Sequence, residues 1–272
     1  MTASTITDAR VASSSSSFGR LAGLRALLRK DATEWVRGRR VWVVLAISSV
    51  FMVLTAANGW IKARIAESLP PDVAPPTPGS LVPLDNIIGA VSAQVFVLAT
   101  IFAVASLLVA ERDSGTLAWV ASKPVTRSSI WLSKWISASA ILVVAAGLIP
   151  LALTVSLVVV LYGVPPVGAV VGLAVGIAAL VTFFAAVGLA AGTVMPGQPA
   201  VAAAGFGVFA LTPLLTAVVP FDVAPLLPTS ILPWPAMAMS GEAVPWVTPV
   251  AWLAITTGLV LLALRRMARI QL

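Results

Sequence analysis

The segment "ERDSGTLAWVASKPVTRSSIWLSKW", Glu111 to Trp135, interrupts an otherwise apolar chain. Residues 87–110 before it carry no charge, and no charged residue follows Lys134 until Asp222. Most of the charge in the middle of the chain is therefore concentrated in this segment, which we call the charged island. Because the surrounding sequence is apolar, this charged segment requires a structural or functional explanation.

The composition around the island indicates a membrane protein. Hydrophobic residues make up 59% and charged residues only 10%, and the mean hydropathy is +1.03. A soluble domain is about one-quarter charged, whereas apolar runs of about 20 residues can cross a hydrocarbon core. Backbone groups in lipid must pair internally, and continuous apolar runs favour helices over barrel strands. We therefore predict an all-α, polytopic membrane protein.

The absence of particular residue types and motifs excludes several classes of function. Cysteine and histidine are absent, which removes disulfides, thiol chemistry and the commonest metal ligand. No P-loop, H-E-x-x-H or G-x-S-x-G motif occurs, so we expect no enzyme, no catalytic residue and no metal site. The net charge of +7 lies mainly at the ends of apolar runs, which is typical of orientation signals and not of nucleic-acid binding.

The N-terminal region divides into two parts. Residues 1–17 are polar and of low complexity, and they are predicted to form a disordered tail. Residues 18–40 repeat apolar side chains at spacings of three and four, with basic side chains between them: Leu21, Leu24, Leu28, Ala32 and Trp35. This pattern predicts an amphipathic interfacial helix. The alternative is a basic flank that only sets the topology.

Residues 41–272 are predicted to form one membrane domain of six helical spans, at about 41–60, 87–110, 136–162, 167–194, 200–220 and 247–264. Two proline-containing turns, "YGVPPVG" and "MPGQP", separate spans three to five. One long kinked helix at either place is the alternative. With six spans, the basic tail, the island and the C-terminus share one side, which predicts that both termini are cytoplasmic.

Two segments are assigned to the outer side. Residues 61–83 are proline-rich and are expected to be extended and hydrated. Residues 221–246 are apolar but broken by prolines. They form either short helices dipping into the membrane or a surface loop held by Trp234 and Trp246 at the headgroups.

The predicted spans contain mild polarity but no charge in their middles, and the candidate translocation-path residues are Thr55, Asn58, Gln94 and Thr100. Serine and threonine in a span usually bond back to their own helix, and small residues such as Gly172 and Gly176 usually permit close packing. Amides need partners in lipid, so Asn58 and Gln94 are expected to face the bundle interior or a cavity.

The island itself predicts a short helix between two turns. Ser114 is expected to cap a helix over residues 115–121, about 10 Å long. Pro124 ends it, and Thr126 or Ser128 caps the next helix. Its apolar side needs a covering surface, either headgroups or a partner protein, and consists of Leu117, Trp119 and Val120.

The island resembles the signature of permease subunits of ABC-2 type transporters. The residues that match in order and spacing are Glu111, Gly115, Thr116, Leu117, Pro124, Arg127 and Lys134. The resemblance covers nearly the whole chain from Phe18, because that family also has six spans, cytoplasmic termini, a basic interfacial helix and, often, re-entrant helices between spans five and six.

The resemblance implies that the short helix is a coupling helix seated in a cleft of a separate ATP-binding cassette ATPase. The implied interface residues are Glu111, Gly115, Thr116, Leu117, Trp119, Lys123, Pro124 and Arg127. ATP and Mg would be bound by the partner ATPase, with no cofactor in this chain. A second permease copy, as a homodimer, or a related permease would complete the unit.

The same resemblance implies a bacterial or archaeal cell (inner) membrane location and a function in export. The outer region is short and apolar, which does not favour a large hydrophilic cargo. The alternatives are a non-transporting membrane scaffold or assembly factor with the same bundle, or a channel or secondary carrier. The charge-free spans speak against the last of these.

Overall fold

The computed structural model describes residues 23–68, 95–218, 223–232, 234, 237 and 245–269. Helices and turns account for these residues, and no strand occurs among them. The all-α prediction is therefore confirmed for the described part of the chain. The predicted tail (1–17), the start of the predicted interfacial helix (18–22), the first part of span two (87–94) and the proline-rich segment 69–83 lie outside the described residues.

The principal helices, numbered along the chain, are α1 (Leu24–Arg37), α2 (Arg39–Ser68), α3 (Val95–Asp113), α4 (Thr116–Ala121), α5 (Arg127–Leu142), α6 (Ile149–Tyr162), α7 (Val167–Gly192), α8 (Gln198–Val218) and α9 (Val247–Arg269). A π-helical segment, Val143–Leu148, joins α5 to α6, so Arg127–Tyr162 is one helix of 36 residues. Two short 3-10 helices, Ala224–Leu226 and Pro228–Ile231, precede α9.

Five helices in the described part are long and apolar enough to cross a membrane: Arg39–Asn58, Val95–Asp113, Arg127–Tyr162, Val167–Gly192 and Val247–Arg269. The predicted fifth span corresponds to α8, where a shorter apolar helix, Gln198–Thr212, is found. The count of six spans thus stays a prediction. One expectation is wrong: α2 continues to Ser68, so residues 61–68 are helical and not extended, because no proline interrupts the chain before Pro70.

Both proline-containing turns break the helix, so the alternative of one long kinked helix is wrong at each place. α6 ends at Tyr162 before Gly163, whose φ of 101° is unfavourable for other residues. α7 ends at Gly192 and α8 starts at Gln198. In contrast, Pro150 inside the long helix is accommodated by the π-helical turn before it.

Small residues hold α3, α7 and α8 close together at the centre of the bundle. A Cβ placed on Gly205 of α8 would lie 2.6 Å from the Ile101 side chain, and one on Gly188 of α7 would lie 3.1 Å from Val104. Such separations leave no room for a larger residue without displacement. The close-packing interpretation of the small residues is confirmed at these positions.

The segment before α9 enters the bundle. Ile231 and Leu232 are buried, and a Cβ on Gly176 of α7 would lie 2.5 Å from the Leu232 carbonyl oxygen. The indole N–H of Trp234 donates to the Pro245 carbonyl at 2.9 Å. Burial of Leu232 against a helix favours short helices covered by protein over a surface loop.

Candidate functional site

The first turn of the charged island is built on Gly115. Gly115 adopts φ 72° and occupies the N-cap position of α4 without a side-chain cap, a backbone conformation that glycine adopts at least cost. The prediction that Ser114 caps α4 is wrong, because the Ser114 N–H still donates to Ala110 as part of α3. Its hydroxyl instead lies 2.8 Å from the Thr116 hydroxyl.

The second turn follows the prediction more closely. α4 ends at Ala121, before Lys123 and Pro124. Thr126 is extended, and its hydroxyl oxygen accepts the Ser129 N–H at 3.2 Å, so it is the N-cap of α5. Of the two predicted caps, the structure therefore selects Thr126 over Ser128.

The exposure of the α4 side chains differs from the expectation that Leu117, Trp119 and Val120 form one apolar side. Leu117, 4% exposed, and Val120 are buried in the core of this chain, because α4 packs back against α3. The surface that covers Leu117 and Val120 therefore belongs to this chain, and the role of Leu117 at an ATPase interface stays a prediction. Trp119 is 62% exposed, and the Lys123 ammonium lies 4.0 Å from its ring centroid.

A group of charged side chains lies beneath α4 and connects α1, α3 and α5. Lys134 of α5, 5% exposed, lies 2.6 Å from Glu111 of α3 and 3.8 Å from Asp31 of α1. Lys30 lies 3.7 Å from Glu111 and 3.4 Å from Glu34. We call these five residues the charge cluster. It ties the N-terminal helix directly to both ends of the island.

The sequence-based prediction does not include Asp31, although an acid on the apolar side of a helix is itself an indication of a functional or structural role. Leu27, Asp31 and Trp35, spaced by four, form the buried face of α1, so an acid stands within the apolar side of that helix. The Ser133 hydroxyl donates to Asp31 at 2.7 Å. A buried carboxylate without such partners would be costly, and its partners lie 102 and 103 residues away in the sequence.

Burial and the neighbouring charges shift two pKa values in the cluster. Burial raises the pKa of Asp31, although Lys134 and the Ser133 hydroxyl oppose the shift. Burial lowers the pKa of Lys30, but attraction by Glu111, Glu34 and Asp31 outweighs it, so the net shift is upward. Both shifts favour the protonated forms.

Oxygen atoms of Asp31, Glu34 and Glu111 lie within 4.8 Å of one another. Each of these carboxylates has a lysine ammonium within 4.0 Å. Two lysines thus already supply positive charge to the three acids, and the cluster can be held together without a metal ion.

Two arginines of the island fasten it to distant helix ends. Arg112 donates to the carbonyls of Met195 and Pro196 at 3.0 and 2.8 Å, just after α7. Arg127 donates to Ala268 in the last turn of α9 at 3.3 Å. Arginine at a helix C-terminus satisfies carbonyls that have no partner within the helix. The island therefore holds the ends of four long helices together.

The family model described as ABC-2 family transporter protein matches residues 25–261, from α1 into α9. The chain belongs to the ABC-2 transporter family. No curated protein matches it. Together with the apolar helices, membership makes this chain a multi-pass membrane transporter permease. Members of the family are membrane components and not ATPases.

The predicted ATPase-interface residues of this ABC-2 permease differ in exposure and in the contacts that they make within the chain. Trp119, Lys123 and Pro124 are exposed. Gly115 is exposed as well and makes the first turn. The other four contact this chain itself: Thr116 bonds to Ser114, Leu117 fills the core, Glu111 belongs to the charge cluster and Arg127 binds α9.

Three of the four candidate translocation-path residues lie in the described part of the chain: Thr55, Asn58 and Thr100. Thr100 is buried and bonds back to the Phe96 carbonyl at 2.7 Å, and Thr55 bonds back to Phe51 at 2.8 Å. Both follow the usual pattern for threonine in a span. Asn58 is exposed on this single chain, so it does not lie in the bundle interior described here, and the alternative that it faces a cavity stays a prediction. Gln94 lies outside the described residues.

Proposed function

We propose that this ABC-2 permease is the membrane subunit of an ATP-driven exporter and that α4 couples it to a separate ATPase. The observation that carries the proposal is the exposed Trp119, with Lys123 on its ring, on a short helix whose neighbours are fastened internally. Large aromatic side chains dominate the energetics of many protein interfaces. This exposed tryptophan on the island is therefore the best candidate for the ATPase contact.

The surroundings of α4 suit the transmission of force. α3 and α5 are joined beneath it by the 2.6 Å contact of Lys134 with Glu111. α5 continues through the π-helical segment to Tyr162, which spans about 54 Å for 36 residues. A displacement of α4 would therefore move long rigid helices, as a rigid-body switch between two packings requires.

The topology of the proposal places both termini and the island in the cytoplasm. It takes α8 as the remaining span, so that six spans put the basic residues of the tail, the island and the C-terminus on one side. The Arg127 contact with Ala268 supports this arrangement, because it places the end of α9 beside the island.

The working unit would contain two permease copies and two ATPases in a bacterial or archaeal cell membrane. ATP and Mg would be bound by the ATPase, because no P-loop occurs in this chain. Two copies could be identical or related permeases. The apolar, uncharged spans favour a cargo that is not large and hydrophilic.

The test is co-purification of the permease with its ATPase, together with the rate of ATP hydrolysis, for Trp119→Ala. Loss of a central interface tryptophan costs at least about 2 kcal/mol, which corresponds to about 30-fold weaker binding. Leu117→Asp is unsuitable, because Leu117 is buried and the variant would damage the fold.

Trp246→Ala is the matched control. Trp246 is also exposed but precedes α9, whose 23 residues place it about 33 Å from the island end of that helix. Equal ATPase binding and equal ATP turnover in Trp119→Ala and wild type would disprove the coupling role. An intact, ATP-hydrolysing complex that moves no cargo in vesicles would favour a scaffold instead.

A further inference from the structure

A cavity of about 440 Å³ lies beside the charge cluster, where α1 bends into α2. Its lining includes Trp35, Arg39, Arg40, Leu107, Glu111 and Lys134. The bend is at Gly38, which separates the two helices. Arg39 is also the first residue of the first membrane-spanning stretch, so the cavity opens at the membrane boundary.

Each acid that lines this cavity has a lysine partner, whereas its two arginines have no acidic partner among the described residues. Asp31, Glu34 and Glu111 each have a lysine within 4.0 Å. Arg40 donates to the neutral hydroxyl of Ser106 at 2.6 Å, and within the described part of the chain neither arginine forms an ion pair with an acid. Three cationic and three anionic side chains line the cavity, so its lining is formally neutral. Lys30, which does not line the cavity but pairs with Glu34 and Glu111, brings the group to a net charge of +1.

The surface next to Arg39 is apolar. Trp42 and Val43 lie three and four residues further along α2 and are exposed. On a helix these positions share one face with Arg39. Arg39 therefore shares one helix face with an exposed aromatic side chain and an exposed aliphatic side chain.

We propose that this cavity binds the phosphodiester headgroup of an anionic phospholipid such as phosphatidylglycerol. The phosphate accepts hydrogen bonds from Arg39 and Arg40, and an acyl chain lies along Trp42 and Val43. A single phosphodiester carries one negative charge and so balances the +1 of the lining residues taken together with Lys30. Guanidinium groups match phosphate oxygens in geometry, and basic pockets between membrane helices commonly hold headgroups.

The ligand reaches the charge cluster through the same cavity, because Glu111 and Lys134 line it as well. A bound headgroup fastens the bend at Gly38 to α3 through Arg40 and Ser106. The site thus makes the position of α1 dependent on the lipid. This inference does not rest on the proposed coupling of α4 to an ATPase.

The test is native mass spectrometry of the full-length protein in detergent, titrated with phosphatidylglycerol or phosphatidylcholine of equal chain length. We expect phosphatidylglycerol to bind about tenfold more tightly, and Arg39→Gln to remove this preference. Arg39→Lys keeps the charge but loses the planar donor pair, so an intermediate preference is expected. Arg266→Gln removes an exposed positive charge from the last turn of α9 that does not line the cavity, and it should keep the preference.

Equal binding of the two lipids by the wild type would overturn the proposal, and this comparison needs no variant to fold. An unchanged preference in Arg39→Gln, or an equal loss in Arg266→Gln, would overturn it as well. Glycerol 3-phosphate distinguishes a soluble source of the phosphate. If it binds to the protein in detergent without added phosphatidylglycerol and with the same dependence on Arg39, the site takes a soluble phosphate and the lipid assignment is wrong.

Discussion

The Lys134 ammonium of α5 lies 2.6 Å from a carboxylate oxygen of Glu111 on α3. This contact joins the helices that enter and leave the charged island without passing through α4 itself. Both residues match a family pattern in the sequence, and the contact between them gives that match a physical role. They keep the two ends of the island together while α4 remains at the surface.

Glu111→Gln should destabilise the permease by about 3 kcal/mol, because removing one partner of a buried ion pair leaves the other charge poorly compensated. Lys134 keeps Asp31 at 3.8 Å, which places the expected loss at the lower end of the usual range. The measurement is unfolding by a denaturing detergent, followed by tryptophan fluorescence.

Asp113→Asn is the control for that variant, since Asp113 is an exposed carboxylate on the same helix whose partner among the described residues is Arg112, at 3.8 Å. An exposed pair contributes about 0–1 kcal/mol. Equal losses in Glu111→Gln and Asp113→Asn would contradict the structural role of the buried pair.

The opposite exposure of Leu117 and Trp119 can be measured by cysteine labelling. The chain contains no cysteine, so a single introduced thiol gives an unambiguous signal. Trp119→Cys should react rapidly with a water-soluble maleimide, whereas Leu117→Cys should react at least about tenfold more slowly because that position is buried. Similar rates at the two positions would mean that α4 does not pack against α3 as described.

Gly176→Ala should displace the segment before α9. A Cβ at Gly176 would lie 2.5 Å from the Leu232 carbonyl oxygen, and backbone cannot rotate away as a flexible side chain does. We expect a loss of about 1–3 kcal/mol in unfolding free energy, the usual range for overpacking. A cysteine at Leu232 should also become more reactive in this variant.

Gly207→Ala provides the comparison for Gly176→Ala, because it adds the same methyl group within a helix where no atom lies within 4 Å. Alanine is the better helix former, so this variant should be as stable as the wild type or up to about 1 kcal/mol more stable. If Gly176→Ala behaves like Gly207→Ala, the buried position of Leu232 is wrong.

The raised pKa of Asp31 predicts a specific dependence of stability on pH. Burial favours the protonated carboxyl in the folded state, so this group's stabilisation is complete below the ordinary pKa of 3.8 and is lost as pH rises through the raised value. In that window the free energy of unfolding of the wild type should fall relative to Asp31→Asn, by at most about 1.4 kcal/mol per pH unit.

The comparison requires unfolding curves of the wild type and Asp31→Asn at several pH values from about 3 to 7, the range around the ordinary carboxyl pKa. Above the raised pKa the difference between the two proteins should become constant. A difference that stays constant over the whole range would contradict the upward shift of the Asp31 pKa.

The helices and their breaks could be predicted from the sequence because their causes are local. Continuous apolar runs require helices in lipid, and the turns around residues 163–166 and 193–197 end helices where proline and glycine occur. The cap at Thr126 depends on an N–H only three residues away. The short helix of the island could likewise be predicted from neighbouring residues. So could the family to which the chain belongs.

Only the tertiary structure decided which side of each helix is covered. The periodicity of α4 does not say that Leu117 faces α3 while Trp119 remains exposed. Asp31 could be identified as a partner of Lys134 only once α1 was packed on α5, since the two residues are 103 positions apart. Contacts such as Arg112 with Met195 and Leu232 with Gly176 likewise join distant segments. Local sequence fixes backbone geometry, whereas burial and charge pairing depend on what the rest of the chain places alongside.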